Sequence, residues 1–492
     1  MWQLGIASAP ILTVLLMLFV WRQSSLRAGL SAWLTAVLIA LATPLFRAEP
    51  DTVIHASARG VLTASIIAYV LFFGLLLYHL MSGAGLIRSL SAFISRSTRD
   101  PVRQILLLVV AFSPLVESVS GFGLAITIIA PILVQLGFGR FKAALLALVS
   151  MSAVPWGALG TGTVIGSNLA GVSLHQMGSG AAILSIPAFF LFAVAAVYIA
   201  GGWRGIRKRW MELFFLLIFF ILSLYLFSAF VSVELAGVFA SMIAIGAELA
   251  CIRLFPDTAT PGKAEDSSAP PLPDRGVVKA MSPYLFLTGL LLVSRLVPPV
   301  QDLLNSHLVI DAPGYRFALP LLYSPGFFLF LTCLYTSVLF KIPKKKVMTA
   351  LQSTWKQWTP VVLSMAGLIA MSEVMSASGM TEVLALAASR AFGAWYVWIA
   401  PLIGALGGFL TGSNAAANAM LIQLQAEVAD QLGMATEEIA VLQNAAAAHM
   451  TMASPSRVLM AASVCQIPSE ENRLLKAVAP IAVAAVFSLT IL

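Results

Sequence analysis

The chain has 492 residues, of which 60% are hydrophobic and 10% charged, and its mean hydropathy is +0.94. This composition excludes a soluble globular protein and predicts an all-α polytopic membrane protein. The three cysteines lack CxxC spacing, so we expect neither a disulfide framework, nor a metal site, nor a cofactor. The net charge of +8 resides in loops between apolar segments, which gives no reason to expect a nucleic-acid partner.

Clusters of Lys and Arg set the predicted topology, because basic loops stay in the cytoplasm. They lie at Arg22 and Arg27, at 88–103, at Arg140 and Lys142, at 204–209 and at 341–346. Apolar segments between them predict about twelve crossings of about 20 residues, with both termini outside and no cleaved signal peptide. The predicted spans are 4–21, 28–46, 61–81, 143–170, 179–201, 210–227, 231–250, 281–297, 321–340, 358–377, 440–465 and 474–492.

The stretch 104–139 is apolar but has basic residues on both sides, so a single crossing would place later basic loops outside. We therefore predict a re-entrant hairpin with limbs 105–115 and 124–137, each too short to span. Glu117 and the glycines of "SGFG" would lie at its turn, although Gly121 and Gly123 could instead serve close helix packing.

A second hairpin is predicted at 394–427, where "GALGGFLTGSNAAANAM" joins two apolar limbs. The loop after it carries acidic residues but no Lys or Arg, and Trp395, Tyr396 and Trp398 lie at the start of the hairpin. Both features are typical of the outer surface, so this hairpin is expected to enter from outside.

A proline interrupts the apolar span after each hairpin, which predicts broken helices at 143–170 and 440–465 around Pro155 and Pro455. The order of elements then predicts inverted repeats at 1–201 and 281–492, joined by linking spans at 202–255 and a flexible cytoplasmic loop at 256–280. Inverted repeats with discontinuous helices are typical of secondary transporters, whose half-helix N-termini attract an anionic substrate.

Arg457 is the most informative residue of the predicted site, because a membrane-embedded arginine costs about 2.5 to 3.5 kcal/mol on insertion scales. Its guanidinium fits a carboxylate or sulfonate in two-point contact, or it pairs with Glu117 or Glu373, or it reaches the cytoplasmic surface. Glu117 could carry a coupled proton or bind backbone N–H groups, and His449 could titrate or serve as a structural hydrogen bonder.

The predicted substrate contacts are the residues of the hairpin tips and helix breaks. They are Ser120, Gly121, Phe122, Gly123, Thr161, Thr411, Gly412, Ser413, Asn414, Asn418, Ser454 and Arg457, with Glu117 and His449 for proton coupling. Thr163 and Asn168 add oxygens that could also hold a sodium ion, whereas Glu373 and His79 are weaker candidates.

The stretches "ESVSGFG", "GFLTGSNAAAN", "LQNAAAAHMTMASPSRVLMAAS" and "GGWRGIRKRW" resemble the bacterial lactate permease family of 2-hydroxy-monocarboxylate symporters. The resemblance extends over nearly the whole chain and implies proton-coupled uptake of lactate or glycolate by an elevator-like mechanism in the bacterial inner membrane. In the family pattern Thr-Pro follows the Gly-Phe-Gly and His-Asn follows the later Ser/Ala-Pro. This chain has Leu124 and Ala125 at the first place and Ser456 and Arg457 at the second.

The predicted function is therefore proton symport of a small organic anion, with membrane lipid as a further partner and a homo-oligomer left open. A sodium-coupled carrier for another small carboxylate or sulfonate is the main alternative. A channel would show filter or ring motifs. An intramembrane enzyme is disfavoured because the sequence contains neither HExxH nor GxSxG.

Overall fold

A computed structural model describes residues 2–87, 89, 93, 97–121, 123–255, 274–315 and 317–490. Helices account for most of these residues, as the apolar composition predicts. Apart from the hairpins and broken helices treated below, they run over Trp2–Leu15 with a π-helical end Leu16–Val20, Ser25–Ala42, Pro50–Gly83, Leu174–Leu184, Ile186–Phe230, Val233–Leu254, Asp274–Leu296, Pro298–Ser306, Pro325–Leu339, Lys344–Ala377, Met380–Phe392 and Glu471–Ser488.

By length and composition, seven helices among the described residues can cross a membrane, or eight if Lys279–Leu296 and Pro298–Ser306 form one bent span. The protein is thus polytopic, while the count of about twelve crossings stays a prediction. One reason for the difference is that Ile186–Phe230 counts once in this total. Non-helical backbone at Gly202 and Arg209 divides it into two helices, at the place where the predicted spans 179–201 and 210–227 adjoin.

Two helices of 34 residues, Pro50–Gly83 and Lys344–Ala377, pack along each other. A side chain at Gly60 would lie 2.5 Å from the Cα atom of Ala370, so the two backbones touch there. A side chain at Gly367 would lie 2.8 Å from the backbone of Gly29 in the neighbouring helix Ser25–Ala42. Small residues let membrane helices approach one another closely. Van der Waals packing then drives their association, because the hydrophobic effect does not act between helices in lipid. We call these three helices the glycine-packed group.

Hairpin 1 consists of two limbs on either side of a glycine turn. Its first limb combines a helix Pro101–Ile105, a π-helix Leu106–Phe112 and a helix Ser113–Ser120, and its second limb is Leu124–Gln135. Gly121 and Gly123 have φ angles of 58° and 75°, which side chains disfavour, so both glycines are needed at the turn. Phe122 lies outside the described residues.

The prediction that both limbs of hairpin 1 are too short to span is wrong for the first limb. Pro101–Ser120 is 20 residues long and its apolar window is entirely buried. The limb extends because Asp100 caps it and Pro101 occupies the first turn, four residues before the predicted start. Length alone therefore does not make this hairpin re-entrant, and its return to the same side stays a prediction.

Hairpin 2 joins Tyr396–Thr411 to Asn414–Leu432 through Gly412 and the helix-capping Ser413. Broken helix 1 has halves Arg140–Val149 and Gly157–Ala170 on either side of a 3-10 turn at Val154–Trp156. Broken helix 2 has halves Thr436–Met450 and Pro455–Val464 around a 3-10 turn at Thr451–Ala453. Both breaks lie at a proline, which lacks the N–H that would continue the helix.

Three features depart from the predicted organisation. The chain is not purely α-helical, because Val309–Ala312 and Phe317–Pro320 form an antiparallel two-stranded sheet. A helix at Met380–Phe392 precedes hairpin 2, and the helix Asp274–Leu296 begins inside the predicted loop 256–280. The rest of that loop, 256–273, lies outside the described residues.

A cluster of charged residues fastens the base of hairpin 1 to the helix Ile186–Phe230. Asp100 accepts hydrogen bonds from Lys208 and Arg209, each at 2.8 Å, and Glu212 accepts one from Arg103 at 2.7 Å. Burial alone would raise the pKa of Asp100, but the two basic partners hold it at about 2, below the ordinary 3.8. The carboxylate is thus charged at all physiological pH values.

Asp100→Asn should lower the stability of the solubilised protein by about 1 kcal/mol, less than the energy equivalent of that pKa difference, because solvent screens the exposed partner Lys208. Because the pKa is lowered on folding, this contribution is present above about pH 4 and is lost as the pH falls towards 2. Melting followed by tryptophan fluorescence at pH 7 would measure the effect. The exposed Asp302→Asn is the control and should melt like the wild type. Equal melting temperatures of the two variants would contradict the prediction.

Candidate anion site at the hairpin tips and helix breaks

Three helix N-termini line one cavity, which we call the inner cavity, and a fourth is joined to it through Glu117. Gly157 and Thr161 line it from the second half of broken helix 1, Asn414 from hairpin 2 and Arg457 from broken helix 2. The fourth N-terminus is that of Leu124–Gln135, where the N–H of Gly123 donates to Glu117 Oε1 at 3.2 Å. Helix N-termini carry partial positive charge and N–H groups without helical partners, so their convergence favours an anion.

Arg457 connects the tips of both hairpins. Its Nε and Nη2 atoms donate to the carbonyl oxygen of Gly412 at 3.0 and 2.8 Å, at the tip of hairpin 2. Its guanidinium lies directly over Gly123, at the tip of hairpin 1, where any side chain would collide with it. Ser454 caps the half-helix that carries Arg457 and thereby directs the arginine towards the tips.

The guanidinium of Arg457 uses only one of its edges, Nε and Nη2, to donate to the carbonyl of Gly412. Nη1 is buried and has no hydrogen-bond partner among the described residues. Nη2 carries a second hydrogen on the side of Nη1. The Nη1/Nη2 edge can therefore still donate two hydrogen bonds to a carboxylate. Neither Glu117 nor Glu373 neutralises Arg457 by a direct hydrogen bond among the described residues, because Glu117 bonds to Gly123 and Glu373 pairs with Arg59 at 3.6 Å.

Glu117 offers a second buried atom without a hydrogen-bond partner among the described residues. The residue is 1% exposed, its Oε1 atom accepts from Gly123, and its Oε2 atom has no partner among the described residues. Glu117 and Arg457 both line the inner cavity. A buried polar atom without a partner is costly, so two such atoms at one cavity indicate a place for a ligand that bonds to both.

The inner cavity has a volume of about 20 Å³, enough for roughly one water molecule. Arg457 and Ser413 also line a larger cavity of about 300 Å³, which we call the vestibule. The substituents of a bound anion would therefore extend into the vestibule while its charged group stays at Arg457. Thr411 and Gly412 line the vestibule as well.

Behind the inner cavity, buried amide side chains join the two halves of the chain. Asn444 Oδ1 accepts hydrogen bonds from Asn414 and Asn418, each at 2.8 Å, and Asn444 Nδ2 donates to Thr163 at 3.1 Å. Asn418 also donates to the carbonyl of Gly162 at 3.0 Å. Asn418 and Asn444 thus hold broken helix 1 against hairpin 2 rather than facing the cavity. Asn444 was not among the predicted residues.

Several predicted residues lie away from the inner cavity. His449 is completely buried, with Nε2 2.8 Å from Ser185 Oγ and its ring between Phe189 and Phe192. Ser120 donates to the carbonyl of Val116 within its own helix, and the exposed Asn168 does the same towards Val164. His79 contacts Gln357. These contacts match the structural alternatives for these side chains. A role of any of them in binding or proton coupling stays a prediction.

Comparison with known proteins matches the L-lactate permease family model over residues 4–312 and 309–491. The L-lactate permease of Streptococcus iniae is 27% identical, covering 88% of this chain and 92% of the relative. The L-lactate permease and the glycolate permease of Escherichia coli K12 are 25% and 23% identical, each covering 96% of this chain and 91% of the relative.

The crystal structure of the YdaH transporter of Alcanivorax borkumensis, described as having an unusual topology, has a similar fold. Its TM-score is 0.50 at 15% sequence identity, with 97% of both chains covered. This likeness concerns the fold alone. The family match spans nearly the whole chain and agrees with the polytopic helical architecture. The protein is a multi-pass bacterial membrane protein that belongs to the L-lactate permease family.

Proposed function

We propose that the protein is a secondary active transporter that takes up a small 2-hydroxy monocarboxylate of the lactate and glycolate type together with a proton. The names of its relatives support the substrate class. The observation that carries the proposal is the pair of unpartnered buried atoms, Arg457 Nη1 and Glu117 Oε2, at one cavity where helix N-termini converge. A carboxylate bonds to the first, and a protonated Glu117 donates to the anion through the second.

Charge balance explains why proton and anion would move together. The empty site holds one guanidinium and one carboxylate, so its formal charge is zero. The anion alone makes it −1 and the proton alone makes it +1, and an uncompensated charge is expensive to move through a low-dielectric environment. With both bound, the charge is again zero. Empty and fully loaded carriers are thus the mobile forms, which is the requirement for symport.

The substrate hydroxyl would bond near the carboxylate. Ser413 lines both cavities and offers its hydroxyl beside Arg457, while Thr161 and Asn414 line the inner cavity alone. These residues also make sodium coupling the second candidate, because neutral oxygens are the ligands that sodium prefers. In that case the carried anion could be another small carboxylate or a sulfonate, which Arg457 would bind by the same edge.

We further propose that the two hairpins and broken helices belong to inverted repeats that move in an elevator-like manner. Their paired arrangement around one site supports this organisation. We propose that the protein resides in the bacterial inner membrane with both termini outside. This proposal is compatible with a homo-oligomer. Two contacts agree with which loops are expected to share a side, whichever side that is. His55 lies 2.7 Å from the carbonyl of Gly314, and Lys346 donates to the carbonyl of Gly83.

Uptake into proteoliposomes tests the proposed function. We expect labelled lactate or glycolate to accumulate when the outside is made acidic and not when sodium alone is supplied. A small sulfonate tests the width of the site, and a small amine is the charge control. Transport of the amine with no uptake of any of the anions would refute the proposal, whereas uptake that requires sodium and ignores pH would select the sodium-coupled alternative.

A further inference from the structure

The vestibule leads from a buried to an exposed environment. At its inner end Arg457 is 4% exposed and Ser364 is 5% exposed. At its outer end Ser24 and Ser25, which begin the helix Ser25–Ala42, are exposed. The vestibule is thus a continuous opening between the glycine-packed group on one wall and hairpin 2 with the half-helix Pro455–Val464 on the other.

The residues around its outer end are those of a cytoplasmic membrane surface. Arg22 and Arg27 flank the serines that form the mouth, and basic residues of short loops stay in the cytoplasm. On the same wall, Pro360 lines the mouth shortly after Trp355 and Lys356, both exposed. Tryptophan followed by lysine is typical of the membrane–water interface.

The opposite direction is closed by the amide network. Asn414 is 4% exposed, Asn418 and Asn444 are completely buried, and their side chains bond to one another. An anion at Arg457 that moves away from these amides enters the vestibule, where Ser413 and Ser456 supply hydroxyl groups beside the arginine.

From this arrangement, and resting on the proposed function, we propose that the vestibule is the path by which the anion leaves Arg457 for the cytoplasm. The structure is accordingly in an inward-facing state. Met460 lies one helical turn beyond Arg457 and lines this path, and its neighbour Leu459 is 47% exposed but does not line it. The two residues lie at nearly the same depth on one half-helix, so they form a matched pair.

Thiol labelling in a cysteine-free background tests the path. Cys251, Cys333 and Cys465 are replaced by serine, uptake by this background is verified, and Met460→Cys or Leu459→Cys is added. A membrane-impermeant methanethiosulfonate should modify Met460→Cys at least tenfold faster in inside-out than in right-side-out vesicles, and it should stop uptake. Leu459→Cys should react slowly from both sides. Ser364→Cys on the opposite wall provides a second position if Met460→Cys does not insert.

Protection by substrate separates this inference from the proposed function. Excess lactate or glycolate should slow the cytoplasmic labelling of Met460→Cys. Cytoplasmic labelling without protection by any tested anion would support the path and contradict the proposed substrate class. Labelling that is equally fast from both sides, faster from outside, or absent at both Met460→Cys and Ser364→Cys would overturn the inference.

Discussion

Arg457→Lys should reduce the rate of uptake at subsaturating substrate roughly 30-fold or more, because losing one charge-assisted hydrogen bond costs about 2 kcal/mol. The guanidinium binds the carbonyl of Gly412 by one edge and has the Nη1/Nη2 edge left for a carboxylate. An ammonium carries its three donors on one atom and cannot bind the carbonyl while making a planar two-point contact with the carboxylate. The initial rate of labelled lactate or glycolate uptake into proteoliposomes measures the effect.

The matched control is Arg473→Lys, since Arg473 is exposed, stacks on Phe141 at 4.5 Å and pairs with Glu470. This variant should transport like the wild type. The concentration dependence then distinguishes binding from positioning. Loss of substrate contact raises the half-saturating concentration, whereas a mere loosening of the hairpin tips lowers the maximal rate and the melting temperature. Wild-type uptake by Arg457→Lys would exclude a role for this arginine in substrate binding.

Hydropathy and charge located most of the helices well, because each depends on a local property of the sequence. The predicted span 28–46 corresponds to Ser25–Ala42, for example, and 231–250 corresponds to Val233–Leu254. The sheet at 309–320 was not predicted, because this segment lies between two predicted spans, where hydropathy indicates only a connection. Pro313 and Gly314 mark the turn between its strands.

The composition of the site was only partly predictable. Glu117, Thr161, Ser413, Asn414 and Arg457 were recognisable as polar groups at glycine turns and proline breaks, and all line the inner cavity. Asn444 was not recognisable as a site residue. Its partner Thr163 is 281 residues away in the sequence, and no local pattern predicts a contact over that distance. For His449 the residue type suggested titration, but the direction of its side chain towards Ser185 depends on tertiary packing.

Glu117→Gln should abolish accumulation of substrate against its gradient while leaving exchange of internal for external substrate measurable. Glutamine resembles the protonated carboxyl in shape and can still donate to the anion, but it cannot release a proton. With the anion bound, the site of the variant is neutral and can still move. Without the anion, the site carries the uncompensated charge of Arg457, so the return of the empty carrier costs more free energy. Net uptake requires that return step and exchange does not.

Two measurements on the same proteoliposomes check this expectation: concentrative uptake driven by an acidic exterior, and counterflow of labelled substrate into vesicles preloaded with unlabelled substrate. Glu438→Gln, at an exposed position, serves as the control and should perform both like the wild type. Full concentrative uptake by Glu117→Gln would assign the proton to another group. Loss of exchange together with uptake, at an unchanged melting temperature, would instead mean that the ionised carboxylate of Glu117 is needed while the loaded site moves, contrary to the charge balance on which proton coupling rests.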